Sequence, residues 1–232
     1  MDISNRIHEV RRCILDAAKR AGRDEKEITL VAVSKTQPAE VLVGAYNQGI
    51  KIFGENKVQE LIEKYPALEN VSWHLVGHLQ KNKVKYIVDK VSLIHSLDSV
   101  ELAEEINKRA KAFGKAVNVL IQINIGKEET KSGIYEEDLE DFTEKLSEYD
   151  GIRILGIMAI PPASENPEDS RKYFRRMREL FEKLKDKKHD NFDIKYLSMG
   201  MTNDFEIAIE EGANIVRVGT GIFGERNYKG RN

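Results

Sequence analysis

Eight short apolar runs punctuate the chain, near residues 29–34, 51–54, 72–77, 92–96, 117–124, 152–158, 194–198 and 214–218. Runs of this length, bounded by turn residues, read as buried strands. Residues 116–125 are nearly all apolar or β-branched, as expected for a strand covered on both faces. Between the runs, helical periodicity predicts helices near 38–48, 56–64, 81–89, 99–112, 136–148, 167–187 and 203–211. Pro38 and Pro167 suit first-turn positions, while Gly49, Gly114 and Gly212 suit helix ends. Ahead of the first run, Ile3, Ile7, Val10, Ile14, Ala17 and Ala21 form one stripe on a helix over residues 2–21, which Gly22 stops.

Strict strand–helix alternation implies right-handed crossovers and a parallel sheet. Eight such strands favour an α/β fold of the closed kind, a single (β/α)8 TIM barrel, over an open doubly wound sheet. No linker-like stretch or charge block divides the sequence, so residues 1–232 read as one domain. The extra N-terminal helix is then a cover on the barrel or an interface.

Composition narrows the function classes. At 41% hydrophobic the chain can bury a large core, and its net charge of −2 argues against a nucleic-acid partner, which needs a clustered basic surface. No stretch approaches a membrane span, and no signal-peptide core is present, so no membrane partner is expected. Cys13 is the only cysteine, so no intrachain disulfide can form and a cytoplasmic location is expected. The histidines show no metal-ligand spacing, so no metal is expected.

In a barrel of this type chemistry sits where strands end. The residues at those ends are Lys35, Asn56, His78, Ser96 with Asp98, Asn124, Met158, Ser198 and Arg217. A lysine closing a buried strand is partly desolvated, which favours the neutral, nucleophilic amine. The plain alternative is a lysine reaching a surface ion pair. Loops after strands seven and eight form the usual barrel phosphate site, and here they read Ser198-Met199-Gly200-Met201-Thr202 and Gly219-Thr220-Gly221. Ordinary turn and cap roles would explain the same residues. Arg217 interrupts an apolar run, so a carboxylate or a ligand acceptor must pair with it.

Gly219-Thr220-Gly221-Ile222-Phe223-Gly224 also matches the dinucleotide fingerprint G-x-G-x-x-G. That motif needs a following helix, a second strand and an acidic residue about 20 positions on. Only eight residues follow Gly224, so the dinucleotide reading fails.

Several segments taken together resemble one family. They are Val31–Lys35, Phe53–Glu60 with Gly54-Glu55-Asn56, Trp73–Lys83, Ile94–Ser99, Gly156-Ile157-Met158, Leu197–Asp204 and Val216–Gly224. In this order they are similar to the YggS/PROSC family of pyridoxal 5'-phosphate (PLP) homeostasis proteins, whose barrel is related to the N-terminal part of alanine racemase. Lys57-Val58 departs slightly from that pattern, where an aromatic or arginine often follows the Asn.

The resemblance implies the fold-type III barrel of PLP proteins, with PLP held as a Schiff base on Lys35. It also implies that Ser198, Met199, Gly200, Gly219 and Thr220 hold the phosphate, that Arg217 faces the pyridine nitrogen, and that Asn56 and Met158 line the cofactor. An arginine cannot accept the ring proton, so carbanions would gain less stabilisation than beside a carboxylate. Related racemases add a tyrosine base from a C-terminal domain, which a chain ending at Asn232 is expected to lack. The leading expectation is therefore a PLP carrier for storage and transfer to PLP-dependent apo-enzymes, without robust turnover. The alternatives are a weak PLP-dependent amino-acid racemase and a cofactor-free Schiff-base aldolase. A monomer or weak dimer is expected.

Overall fold

The computed structural model describes residues 2–68 and 70–225. Eight parallel strands close into a barrel in chain order: β1 (Thr29–Val33), β2 (Ile52–Glu55), β3 (Ser72–Leu75), β4 (Leu93–Leu97), β5 (Val117–Ile123), β6 (Ile152–Ala159), β7 (Phe192–Ser198) and β8 (Ile215–Val218). β8 returns to β1 with Thr29 beside Ile215 and Val31 beside Arg217, which closes the sheet. The predicted barrel is the observed one.

Strand alternation sorts the side chains. Ala32, Phe53, Trp73, Leu75, Ile94, Ile121, Ile157 and Val216 point outward and pack under the helices. Val31, Val33, Val76, Leu93, Leu120, Leu155, Met158 and Ile215 form a separate cluster inside the barrel. The period-two rule carries the inward rows onward to the strand ends: Val31 and Val33 lead to Lys35, and Ile215 leads to Arg217.

The outer layer comprises α2 (Ala39–Asn47), α3 (Val58–Lys64), α4 (Val100–Ala112), α5 (Leu139–Leu146), α6 (Arg171–Lys185), α7 (Phe205–Glu210) and α8 (Thr220–Phe223). Their amphipathic stripes cover the outward rows. Two boundaries depart from the sequence reading. Pro38 is the N-cap of α2, one position before its first turn. Residues Lys81–Tyr86 form a 3-10 helix in place of the predicted α-helix. Lys81 and Lys85 would repel at i,i+4 in an α-helix, and only Val84 is buried within this segment.

The N-terminal helix α1 (Ile3–Arg20) covers the barrel rather than standing free. It buries Ile7, Val10, Ile14, Ala17 and Ala18 and packs against α7 and α8. Arg20 adds ion pairs to Glu206 at 2.8 Å and Glu210 at 2.7 Å. Cys13 lies half-buried on this helix, and burial followed by the nearby Glu206 and Glu9 carboxylates raises its thiol pKa. Such a thiol is a poor nucleophile. No helix among the described residues is long and apolar enough to cross a membrane.

Candidate functional site

The strand ends open into a cavity of about 650 Å³. Lys35, Asn56, Arg217, Gly219 and Thr220 all line it, drawn together from β1, β2 and β8. His78 and Asn124 also face it, together with Val33, Val76, Gln122, Ile160, Thr202 and Asn203. Residues up to 187 positions apart in sequence, Val33 and Thr220, thus line one cavity because the barrel closes.

Asn56 is set in place by a close approach of two backbones. A Cβ on Gly77 would lie 2.3 Å from the Asn56 carbonyl oxygen and 2.7 Å from its Cα. Only glycine fits at 77 with Asn56 where it stands.

Arg217 is 4% exposed. Its guanidinium donates to Ser198 Oγ at 2.5 Å and to the Ala159 carbonyl at 2.9 Å. The sequence reading required a carboxylate or a ligand; the structure supplies a hydroxyl and a main-chain carbonyl as direct partners. Burial lowers the guanidinium pKa to about 10, and the Asp204 carboxylate works against that shift. The group remains a cation at neutral pH.

Apart from Asn124, the remaining sequence-predicted residues lie outside the cavity wall. Ser198 is fully buried and bridges Arg217 to His95. Met158 belongs to the interior cluster, with Ile160 taking the place at the wall. Met199 is buried in the outer core, and its N–H donates to the Ile215 carbonyl. Gly200 has φ +90°, and a Cβ there would sit 2.6 Å from Ala208 Cβ, so it permits close packing against α7. Ser96 is also buried and away from the wall, with its hydroxyl unpaired among the described residues. Asp98 pairs with His78 at 3.3 Å, and burial raises its carboxyl pKa against the opposing pull of His78. Asn124 braces the loop after β5, bonding the Glu128 carbonyl at 2.8 Å and receiving the Glu128 N–H at 3.1 Å.

One hydroxyl escaped the sequence reading as a site residue. Thr202 presents Oγ1 3.1 Å from Thr220 Oγ1 and accepts the Gly221 N–H at 3.3 Å. Thr220 opens α8, whose first N–H groups have no intrahelical acceptors. Hydroxyls, a glycine at 219 and first-turn N–H groups therefore converge in the cavity that Lys35 and Arg217 also line. The signal for Thr202 was its place four residues beyond the end of β7, nearer the rim than Ser198.

The cavity's donor set suits a phosphorylated aldehyde. It offers an amine at Lys35, a cation at Arg217 and a hydroxyl pair at Thr202 and Thr220. Asp204, its one acidic residue among the described residues, is committed to the Met201 N–H at 2.7 Å and to Ser170 at 3.3 Å. Among the described residues no cluster of histidine, cysteine, aspartate and glutamate could hold a metal ion.

Fold and site define the class: a (β/α)8 barrel with a lysine, an arginine and a threonine pair lining the cavity at its strand ends. The family described as "Alanine racemase, N-terminal domain" matches residues 14–227. A relative in Aquifex aeolicus named pyridoxal phosphate homeostasis protein is 50% identical over 230 residues, covering 98% of this chain and 100% of its own. A relative of the same name in Haemophilus influenzae is 39% identical, covering 98% of both chains. The structure of PipY from Synechococcus elongatus with PLP bound is 32% identical, with a TM-score of 0.81 over 96% of this chain and 100% of that one. Alanine racemase of Clostridium difficile, 19% identical with a TM-score of 0.69 over 94% of this chain and 60% of that one, shares the fold. The chain belongs to the pyridoxal phosphate homeostasis proteins, a branch of the alanine racemase N-terminal barrel family.

Proposed function

We propose that this protein binds PLP at the cavity and serves intracellular PLP homeostasis, holding the cofactor for storage and transfer. The observation that carries the reading is the placement of Lys35, Arg217 and the Thr202–Thr220 hydroxyl pair on one wall. The relatives' names and the PLP-bound PipY structure support it.

When bound, PLP supplies an aldehyde that condenses with an amine, releasing water. Lys35 is the amine available for that condensation. Thr202, Thr220 and the Gly219–Gly221 backbone would hold the phosphate, with hydroxyl and N–H donors facing its oxygens. Arg217 would face the ring nitrogen as a donor and, already a cation at neutral pH, could not take a proton from it. Asn56 and Ile160, which line the same cavity, would flank the ring. Ser198 acts through Arg217, and Gly200 through the packing of α7.

The cation opposite the ring nitrogen argues against strong carbanion stabilisation, so transfer rather than turnover is the expected role. PLP-dependent apo-enzymes are the proposed recipients, the cytoplasm the proposed compartment, and residues 1–232 one functional unit. Titration with PLP, followed by visible absorbance, tests the reading. Saturable binding by the native protein that Lys35→Ala abolishes is expected; equal spectra for the two would overturn it.

A further inference from the structure

Arg217 faces the cavity on one side and a line of buried polar groups on the other. Its guanidinium donates to Ser198 Oγ at 2.5 Å. Ser198 Oγ is 3.0 Å from His95 Nδ1, and His95 Nε2 is 3.0 Å from His74 Nδ1. All three downstream side chains are buried, at 0%, 0% and 6% exposure.

A guanidinium only donates, so Ser198 must accept at the first bond. Two proton arrangements remain. In the first, the Ser198 hydroxyl donates to His95 Nδ1, His95 Nε2–H donates to His74 Nδ1, and His74 carries its hydrogen on Nε2. In the second, both histidine bonds reverse, and the buried Ser198 hydroxyl has no acceptor among the described residues. An unpaired buried donor is costly, so the first arrangement holds. The cation at the upper mouth thereby fixes every proton down to His74.

His74 ends the line in a second cavity, of about 290 Å³, at the opposite mouth of the barrel. The strands begin there, and Ser72, Ser92, Arg153 and Lys195 share its wall with His74. Among the described residues no carboxylate lines it. Lys195 is paired with Asp193 at 2.9 Å, outside the lining, whereas Arg153 makes no ion pair among the described residues. His74 Nε2 likewise has no protein acceptor among them. A buried N–H donor, two cations and the hydroxyl-bearing Thr29, Ser72, Ser92 and Tyr196 thus surround a space with no acidic side chain among the described residues.

We propose that this lower cavity binds a small oxyanion, phosphate or carboxylate, with His74 Nε2–H as the buried donor and Arg153 and Lys195 as the charges. The neutral imidazole suffices, because Arg217 already holds its hydrogen on Nε2. The proposal does not rest on the PLP reading, since it uses only the protein's own hydrogen bonds.

Long-range 1H–15N spectra of the histidine side chains test it in the full-length protein, titrated with inorganic phosphate or with acetate at constant ionic strength. The expected result is an Nε2–H tautomer for both His74 and His95, and a saturable shift of His74 Nε2. Phosphate alone producing the shift identifies a phosphate site, and acetate alone identifies a carboxylate site. Arg153→Ala, at an exposed position, should weaken binding about tenfold, as expected for one lost charge-assisted bond. An Nδ1–H tautomer at His74, no saturable shift with either anion, or equal affinity in Arg153→Ala would overturn the proposal.

Discussion

The buried ammonium of Lys64 lies 2.7 Å from Glu55 Oε1 and 2.8 Å from the carbonyl oxygen of Ser34, the residue before Lys35. Ser34 Oγ donates to the same Glu55 oxygen at 2.6 Å, and Glu60 accepts the Thr36 N–H at 2.6 Å while lying 3.3 Å from Lys64. Both neighbours of Lys35 are therefore held by one ion cluster. The cluster also holds Thr36 at φ +65°, a left-handed conformation unfavourable for a β-branched residue. Burial raises the Glu55 pKa, and its bonds to Lys64 and Ser34 oppose that rise.

Removing one partner of a buried pair leaves the other uncompensated, so Lys64→Met should cost about 3 kcal/mol in urea unfolding. The same variant should slow PLP capture at Lys35 under conditions where it remains folded. An unchanged capture rate would show that the cluster supports the fold without placing the lysine.

Two glycines should respond in opposite directions to alanine. Gly77→Ala drives a Cβ into the Asn56 backbone, which cannot yield as a flexible side chain would. A loss of about 2 kcal/mol and weaker PLP binding are expected. Gly44 lies within α2 with nothing within 4 Å of its added Cβ, so Gly44→Ala should stabilise by about 0.7 kcal/mol with unchanged binding. Thermal melts and PLP titrations of the two variants check the contrast.

The histidine pair predicts a pH dependence. Burial lowers the His74 pKa from 6.5 to about 4. It also lowers that of His95, reinforced by His74 and then Arg217. Unfolding restores ordinary histidines, so between pH 6.5 and 4 the unfolded chain binds more protons and stability falls as pH falls. His74 accounts for up to about 3 kcal/mol of that loss. Urea unfolding measured from pH 7 to 5 should show this slope, and His74→Gln should reduce it. Parallel slopes in the two proteins would contradict the assignment.

Arg217→Lys keeps a charge but loses the fork that reaches Ser198 and the Ala159 carbonyl together. About a tenfold weaker PLP affinity is expected, with a shifted absorbance maximum because the ring nitrogen meets a different donor. Identical spectra and affinity would remove Arg217 from the ring's surroundings.

Much of this was legible in the sequence. Apolar runs with turn residues at their ends specify the barrel, and period-two alternation carries Lys35 and Arg217 inward from Val33 and Ile215. The Gly219–Thr220 turn was readable because it directly follows β8. Ser198, the last residue of β7, is buried beside Arg217 and not on the cavity wall, which Thr202 reaches further on. The Lys64–Glu55 pair was hidden because a lysine ending an amphipathic helix ordinarily reads as solvated. The His74–His95–Ser198 line was hidden too, since its members are 21 and 103 positions apart and meet only when the strands close. Lys81–Tyr86 failed as an α-helix because periodicity ignores like-charge repulsion.

Borohydride treatment of the PLP-loaded protein, followed by mass mapping of its peptides, tests the central claim most directly. A single reduced pyridoxyl adduct on Lys35, and none on the exposed lysines, is expected. A labelled peptide elsewhere with Lys35 unmodified, or no adduct at all, would contradict it.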